Sequence, residues 1–210
     1  MQIIRYASLK AAQWANGGGV TRQIAAGPNG ATGTNWDWRI SIAEVAKAGP
    51  FSPMPGVDRI ITVIEGDLIA LTVDGAEQAL EKYRPFRFSG DSETTASLPT
   101  GALKDLNLMT RRGAFKGYAA IIELSKKRPH PVFADQFAVL LQGSATVSAA
   151  APADSATSAD DDGAPAAASA TASTTAPEAL GKFDTVVGSE DAPEISGRGF
   201  LAILSIDPAA

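Results

Sequence analysis

The sequence has no cysteine and a single histidine. The first absence removes disulfides, thiolate metal sites and cysteine nucleophiles together, and it suits a reducing compartment. The second leaves one imidazole, His130, between Pro129 and Pro131. A histidine-rich metal site cannot be assembled from one ring, and His130 reads as a satisfied loop residue. No Gly-x-Ser-x-Gly is present, so serine nucleophile chemistry has no motif. No apolar run approaches the roughly 20 residues that span a bilayer. Met1-Gln2-Ile3-Ile4-Arg5-Tyr6 has no long apolar run after its charge, so no signal peptide is expected. The expectation is a cytoplasmic protein without membrane contact. There is no basic patch, so nucleic acid is not an expected partner. Nothing calls for a metal or a cofactor.

The charge that is present is unevenly placed. The 210 residues carry 18 bases, 23 acids and a net charge of −5. Residues 149–177 hold Asp154, Asp160, Asp161 and Asp162 and no base, so the remainder has 19 acids against 18 bases. That stretch is nearly half alanine, with Ser, Thr, Pro and Asp making up most of the rest and no large apolar side chain. It cannot bury enough surface to offset ordering, and it reads as a disordered insert. Pro152, Pro165 and Pro177 argue against the rival helix.

Helical periodicity is scarce, with only a turn suggested near Ser8 to Trp14. Alternation of apolar and polar residues is plentiful. It runs through residues 38–45, 58–75, 104–112, 117–124, 137–149, 182–188 and 197–207, punctuated by Gly, Pro and Asp. Short alternating runs between turn residues indicate an all-β sandwich or barrel. "DRIITVIEGDLIALTVDG" and "DQFAVLLQGSATVSA" share one frame: Asp, an apolar run, Gly, then a second alternating strand. That order is similar to a cupin jelly roll. Two copies suggest a double cupin of two small β-barrels, with residues 1–116 in the first and residues 117–148 and 178–210 in the second. The insert then interrupts a loop of the second barrel.

One stretch stands apart. "WANGGGVTRQIA" launches an alternating strand from three consecutive glycines. Glycine is costly in entropy, so a triplet implies positive φ, close approach of another group, or both. A tight turn and a ligand-binding loop are both open.

Five segments in order, "WANGGGVTRQIA", "WRISIAEV", "GPFSPMPGVDR", "FSGD" and "DLNLMTRRG", resemble the HutD/Ves family over residues 3–148 and 180–207. The resemblance implies a two-cupin fold. It further implies a non-enzymatic modulator of bacterial histidine utilisation that binds a small carboxylic acid of the formylglutamate or urocanate type. The alanine-rich insert departs from the family pattern. Where a first-barrel cupin would place His-x-His stand Met54-Pro55-Gly56, and near the third histidine's place stand Lys104 and Asp105.

The resemblance tips the glycine loop towards ligand proximity, with its amides free to receive an anion. Trp14, Asn16, Gly17, Gly18, Thr21 and Arg22 are then candidate ligand contacts. Strand parity adds others. Arg39 and Ser41 share a face. So do Asp105, Asn107, Met109 and Arg111, and a polar row in a small barrel often lines the lumen, although a solvated face is the alternative. Arginine suits a carboxylate because its rigid fork donates two parallel bonds. Asp58 and Arg59 read equally as a structural ion pair or as ligand contacts, and Phe51, Ser52 and Pro55 as pocket wall or loop packing. The expected partner is a small anionic metabolite, and a homodimer stays open. Two other functions remain: a metal-independent isomerase or hydrolase using Asp105 or Asp58 as acid–base group, and a Ves-like stress-related protein with no small ligand.

Overall fold

The computed structural model describes residues 1–28, 31, 35–150 and 176–209. The insert expected over 149–177 lies outside the described residues, apart from two residues at each end. Seventeen strands follow in chain order among the described residues: β1 (Gln2–Ile4), β2 (Ala11–Gln13), β3 (Gly19–Gly27), β4 (Trp38–Val45), β5 (Gly49–Pro50), β6 (Val57–Glu65), β7 (Leu68–Val73), β8 (Ala76–Glu81), β9 (Phe86–Ser89), β10 (Thr94–Ser97), β11 (Leu103–Arg111), β12 (Phe115–Leu124), β13 (His130–Pro131), β14 (Gln136–Ser148), β15 (Glu178–Leu180), β16 (Thr185–Val187) and β17 (Glu194–Pro208). The turn anticipated near Ser8 to Trp14 is a 3-10 turn at Tyr6–Ser8, and β2 follows it. No helix of the described residues is long and apolar enough to cross a membrane.

The strands form three sheets. A six-stranded sheet runs β2-β3-β4-β11-β6-β9, and a four-stranded sheet runs β5-β10-β7-β8. Between them lies the first barrel's lumen. Its apolar half holds Val45, Val63, Leu103 and Phe88 from the larger sheet against Ile69, Leu71, Leu80 and Ala96 from the smaller. The seven-stranded sheet runs β1-β16-β14-β17-β12, with β13 and β15 on its flanks.

The alternating faces of β4, β6 and β11 have an unusual destination. Their aliphatic face (Ile40, Ile42, Ile60, Ile64, Leu106, Leu108) packs against Phe137, Val139, Leu141, Ala202, Leu204 and Ile206 of the seven-stranded sheet. The outside of the first barrel is thus apolar because the second barrel covers it. This leaves the polar face to point inward, where it lines the lumen. The solvated-face alternative does not hold for Arg59, Asp105 and Asn107, which are 5%, 1% and 4% exposed.

The second barrel is the seven-stranded sheet folded over. In β14 and β17 the paired residues Gly143 and Gly199 have φ of +102° and +132°. A Cβ at either would lie within 2.0 Å of a backbone carbonyl oxygen across the pair. A register shift between Leu140 and Gln142 accompanies the bend. A bulge changes which parity faces inward: Ala138 and Leu140 before it, and Ala145 and Val147 after it, all join one core. The repeat seen in the sequence is therefore real at the glycine but differs in outcome. Gly66 ends β6 and the chain crosses to the opposite sheet at β7, whereas Gly143 bends a strand that stays continuous.

Two boundaries differ from expectation. Residues 2–4, placed with the first barrel, pair with β16 of the second sheet. Asp184, 5% exposed, anchors them by accepting from Tyr6 N and pairing with Arg5. β12 begins at Phe115, two residues before the expected start of the second unit. The strands flanking the insert, β14 and β15, pair directly through Ala145–Leu180 and Val147–Glu178. The insert thus enters and leaves between adjacent hydrogen-bonded strands.

Candidate ligand-binding site

A cavity of about 310 Å³ opens at the polar end of the first lumen. Its floor is the inward face of the six-stranded sheet, laid out by register. One row reads Arg39–Met109–Arg59, the next Ser41–Asn107–Ile61, the third Ala43–Asp105–Val63. Trp14, Ala15, Asn16 and Thr21 wall one side; Phe51, Ser52 and Met54 wall another.

Both arginines are held by rings rather than by acids. The Arg59 guanidinium lies 5.0 Å from the Phe51 ring and 4.9 Å from the Phe88 ring. Arg39 stands 5.3 Å from the Trp36 ring, with Nη2 3.5 Å from the Met109 sulfur. Neither has an ion-pair partner among the described residues. Both Nε atoms are buried with no hydrogen-bond acceptor in the protein. Burial lowers the pKa of both, that of Arg59 to about 10, with Asp105 opposing and Arg39 reinforcing the fall. A guanidinium at that value stays charged at neutral pH.

Asp105 is the one acidic side chain in the lining. Burial raises its pKa to about 7, against the smaller opposing effects of the Asn107 hydrogen bond and the Arg59 charge. Asn107 Nδ2 donates to Asp105 Oδ1, which leaves Asn107 Oδ1 buried without a donor.

Of the residues expected at the site, Trp14, Asn16, Thr21, Arg39, Ser41, Phe51, Ser52, Arg59, Asp105, Asn107 and Met109 line this cavity. Six do not. Arg22 points to the other face of β3, pairing with Glu44 and lying 5.2 Å from the Tyr6 ring. Asp58 and Arg59 are no ion pair, because neighbours on a strand face opposite ways; Asp58 binds Arg112. Arg111, at the strand end, reaches Asp37 and the Trp36 carbonyl. Pro55 lies outside the lining, although Met54 is in it.

Gly17 and Gly18 are the remaining two. Gly17 N donates to Trp14 O, and Gly18 N donates to Asn16 Oδ1. Their amides are spent inside the turn and do not form an anion nest. The glycines have separate reasons. Gly17 has φ +64°, and a Cβ on Gly19 would sit 2.3 Å from Glu44 O and 3.2 Å from the Trp14 ring. The loop is thus a turn that folds Trp14 over the strand, where its Nε1 donates to Thr21 Oγ1 at 2.8 Å. It serves the cavity through Trp14 and Asn16. Ala15, Ala43, Val45, Lys47, Gly49, Pro50, Met54 and Ala96 also line the cavity. Parity along β4 gives Ala43 and Val45, but β5 and β10 come from the opposite sheet and carry no signal that ties them to this site.

Many cupins hold a metal here, and these residues do not fit one. The lining offers one carboxyl, two amides and hydroxyls beside one buried and one half-buried guanidinium group, whose charges oppose a cation. No group of three or more His, Cys, Asp or Glu is placed to hold a metal among the described residues. His130 sits on β13, paired with Ile195 of β17, and is absent from the lining.

Sheets curled into paired jelly rolls, with a polar cavity in one lumen, define a double cupin. A cupin barrel protein of Leptotrichia buccalis shares this fold, with TM-score 0.56 at 12% identity and coverage of 99% of this chain and 96% of that one. The chain matches the HutD family over residues 6–198 and belongs to it. It is 40% identical over 112 residues to protein Ves of Citrobacter koseri, covering 52% of this chain and 58% of that protein. It is 38% identical over 110 residues to a 21.2 kDa protein in the hutC 3' region of Pseudomonas putida, covering 52% and 57% respectively. The matched stretch is thus little more than half the length of these relatives. HutD from Pseudomonas fluorescens SBW25 superposes with TM-score 0.73 and 25% identity, covering 100% of this chain and 99% of that one.

Proposed function

We propose that this protein binds a small carboxylic acid, of the formylglutamate or urocanate type, in the first lumen and acts without transforming it as a modulator of histidine catabolism. The observation that carries this reading is the pair Arg39 and Arg59, a half-buried and a buried cation with no acid partner and with Nε donors that find no acceptor. A buried charge left unpaired is costly unless a counter-charge arrives. Two guanidinium groups against one titratable carboxyl leave the cavity positive, which suits an anion. The family, and the P. putida relative in the hutC 3' region, support the link to histidine utilisation.

Calorimetric titration of N-formyl-L-glutamate and urocanate into the parent and into Arg39→Ala tests it. Loss of one charged hydrogen-bond partner costs about 1.5–3 kcal/mol, so the variant should bind roughly ten- to a hundredfold more weakly. Arg39→Lys should restore little, since an ammonium lacks the fork. Absence of saturable binding by either acid refutes the reading.

A second reading is favoured by Asp105, a buried carboxyl with its pKa near 7 inside the cavity. Such a group suits acid–base catalysis. NMR of each acid incubated with the protein in heavy water separates the two. Deuterium incorporation or a new product makes the protein an enzyme; an unchanged spectrum beside saturable binding supports the modulator.

A further inference from the structure

The cavity floor separates donors from an acceptor. Arg39 and Arg59 flank Met109 in one row, and the buried Nε–H of each has no acceptor. Two residues along the same strand face, roughly 7 Å away, Asn107 also lines the cavity, is 4% exposed, and has a buried side-chain oxygen with no donor. Asp105 explains the amide's orientation. An ionised carboxylate only accepts, so Asn107 must turn its NH2 to Asp105 and its Oδ1 away. A carboxylate at the arginines satisfies the donors and leaves the Asn107 oxygen stranded.

We propose that the ligand carries, besides its carboxylate, an N–H group that donates to Asn107 Oδ1, and that Asp105 is the positioning residue that holds the Asn107 amide in its accepting orientation. This rests on the carboxylate reading above and narrows it. N-acylamino acids and azole carboxylic acids qualify; plain dicarboxylates do not. The charged groups that share the cavity with Asp105 are Arg39 on β4, Arg59 on β6 and Lys47 after β4, while the linings from β3, β5, β10 and the Trp14 turn are uncharged. Below about pH 7 Asp105 gains a proton and becomes a donor itself. The amide is then free to turn, and selection for N–H weakens.

The test compares each acid with an isostere lacking the donor, at pH 8 and at pH 5.5. N-formyl-L-glutamate is set against the O-formyl ester of L-2-hydroxyglutarate, and urocanate against 3-(3-furyl)acrylate. At pH 8 the parent should prefer the N–H compound at least tenfold, because a buried acceptor left unpaired is penalised. The preference should shrink several-fold at pH 5.5. Asn107→Leu should bring it close to one, and Asp105→Asn should reduce it, because an amide at 105 accepts either orientation of its neighbour. A purely structural role for Asp105 would alter affinity for both compounds alike and leave the ratio intact. The parent ratio needs no variant to fold. If an N–H acid binds and its isostere binds equally at pH 8, the inference is wrong and the carboxylate reading stands. If no acid or isostere binds, both fall.

Discussion

Replacing Asp105 with asparagine should shift stability in the variant's favour as pH rises. The carboxyl is 1% exposed, and its pKa is raised from an ordinary 3.8 to about 7. An acid whose folded pKa is raised holds its proton more tightly when folded. Its contribution is therefore most favourable below the unfolded value and is lost as pH climbs towards the folded one. Linkage puts the loss at about 2 kcal/mol by pH 5 and about 4 kcal/mol by pH 8. Asparagine does not titrate, so whatever constant it adds or removes cancels between the two pH values. The stability difference between Asp105→Asn and the parent should thus move by about 2–3 kcal/mol in the variant's favour from pH 5 to pH 8. Urea unfolding of both proteins at the two pH values reads this difference, and groups away from the cavity cancel in the subtraction. A flat difference, or one of opposite sign, would mean that Asp105 is ionised without penalty. The account of the cavity as a desolvated, positively charged lumen would then fail.

Three further outcomes follow from the fold. Gly19→Ala places a Cβ 2.3 Å from the Glu44 carbonyl and should destabilise by several kcal/mol, whereas Gly17→Ala meets open space and should cost about 1 kcal/mol for its φ of +64°; equal melting temperatures would refute the distinction. Asp184→Ala strips acceptors from Arg5, Tyr6 N and Gly181 N, and should cost about 3 kcal/mol and speed hydrogen exchange in Gln2–Ile4; unchanged exchange there would show that the strand pairing holds alone. Replacing residues 150–177 with a short Gly-Ser loop should leave the melting temperature within a few degrees, since β14 and β15 are already adjacent and closure entropy changes by only about 0.6 kcal/mol per doubling of loop length. Loss of soluble protein would show that the segment packs.

Alternation and turn residues by themselves determined the strand-rich architecture, because a period of two is a local property of each strand. They placed β4 at residues 38–45 to the residue, and they sorted Arg39 with Ser41 and Asp105 with Asn107 and Met109. They did not say which face was inside. That was decided by packing: the aliphatic face of the six-stranded sheet is claimed by the second barrel, so the polar face has only the lumen. Parity also put Arg111 beside Met109, yet the strand ends there, and its side chain finds Asp37 outside the cavity. The glycine triplet advertised a constraint without naming it. Only the fold separates a positive φ at Gly17 from a close approach at Gly19, because the second depends on where β4 and Trp14 lie. The same holds for β1, whose three residues carry no mark of the distant strand they join; Asp184, some 180 positions away, holds them there. The orphaned polar atoms on Arg39, Arg59 and Asn107 are the last such case, since having no partner is a property of a surrounding space and not of a residue.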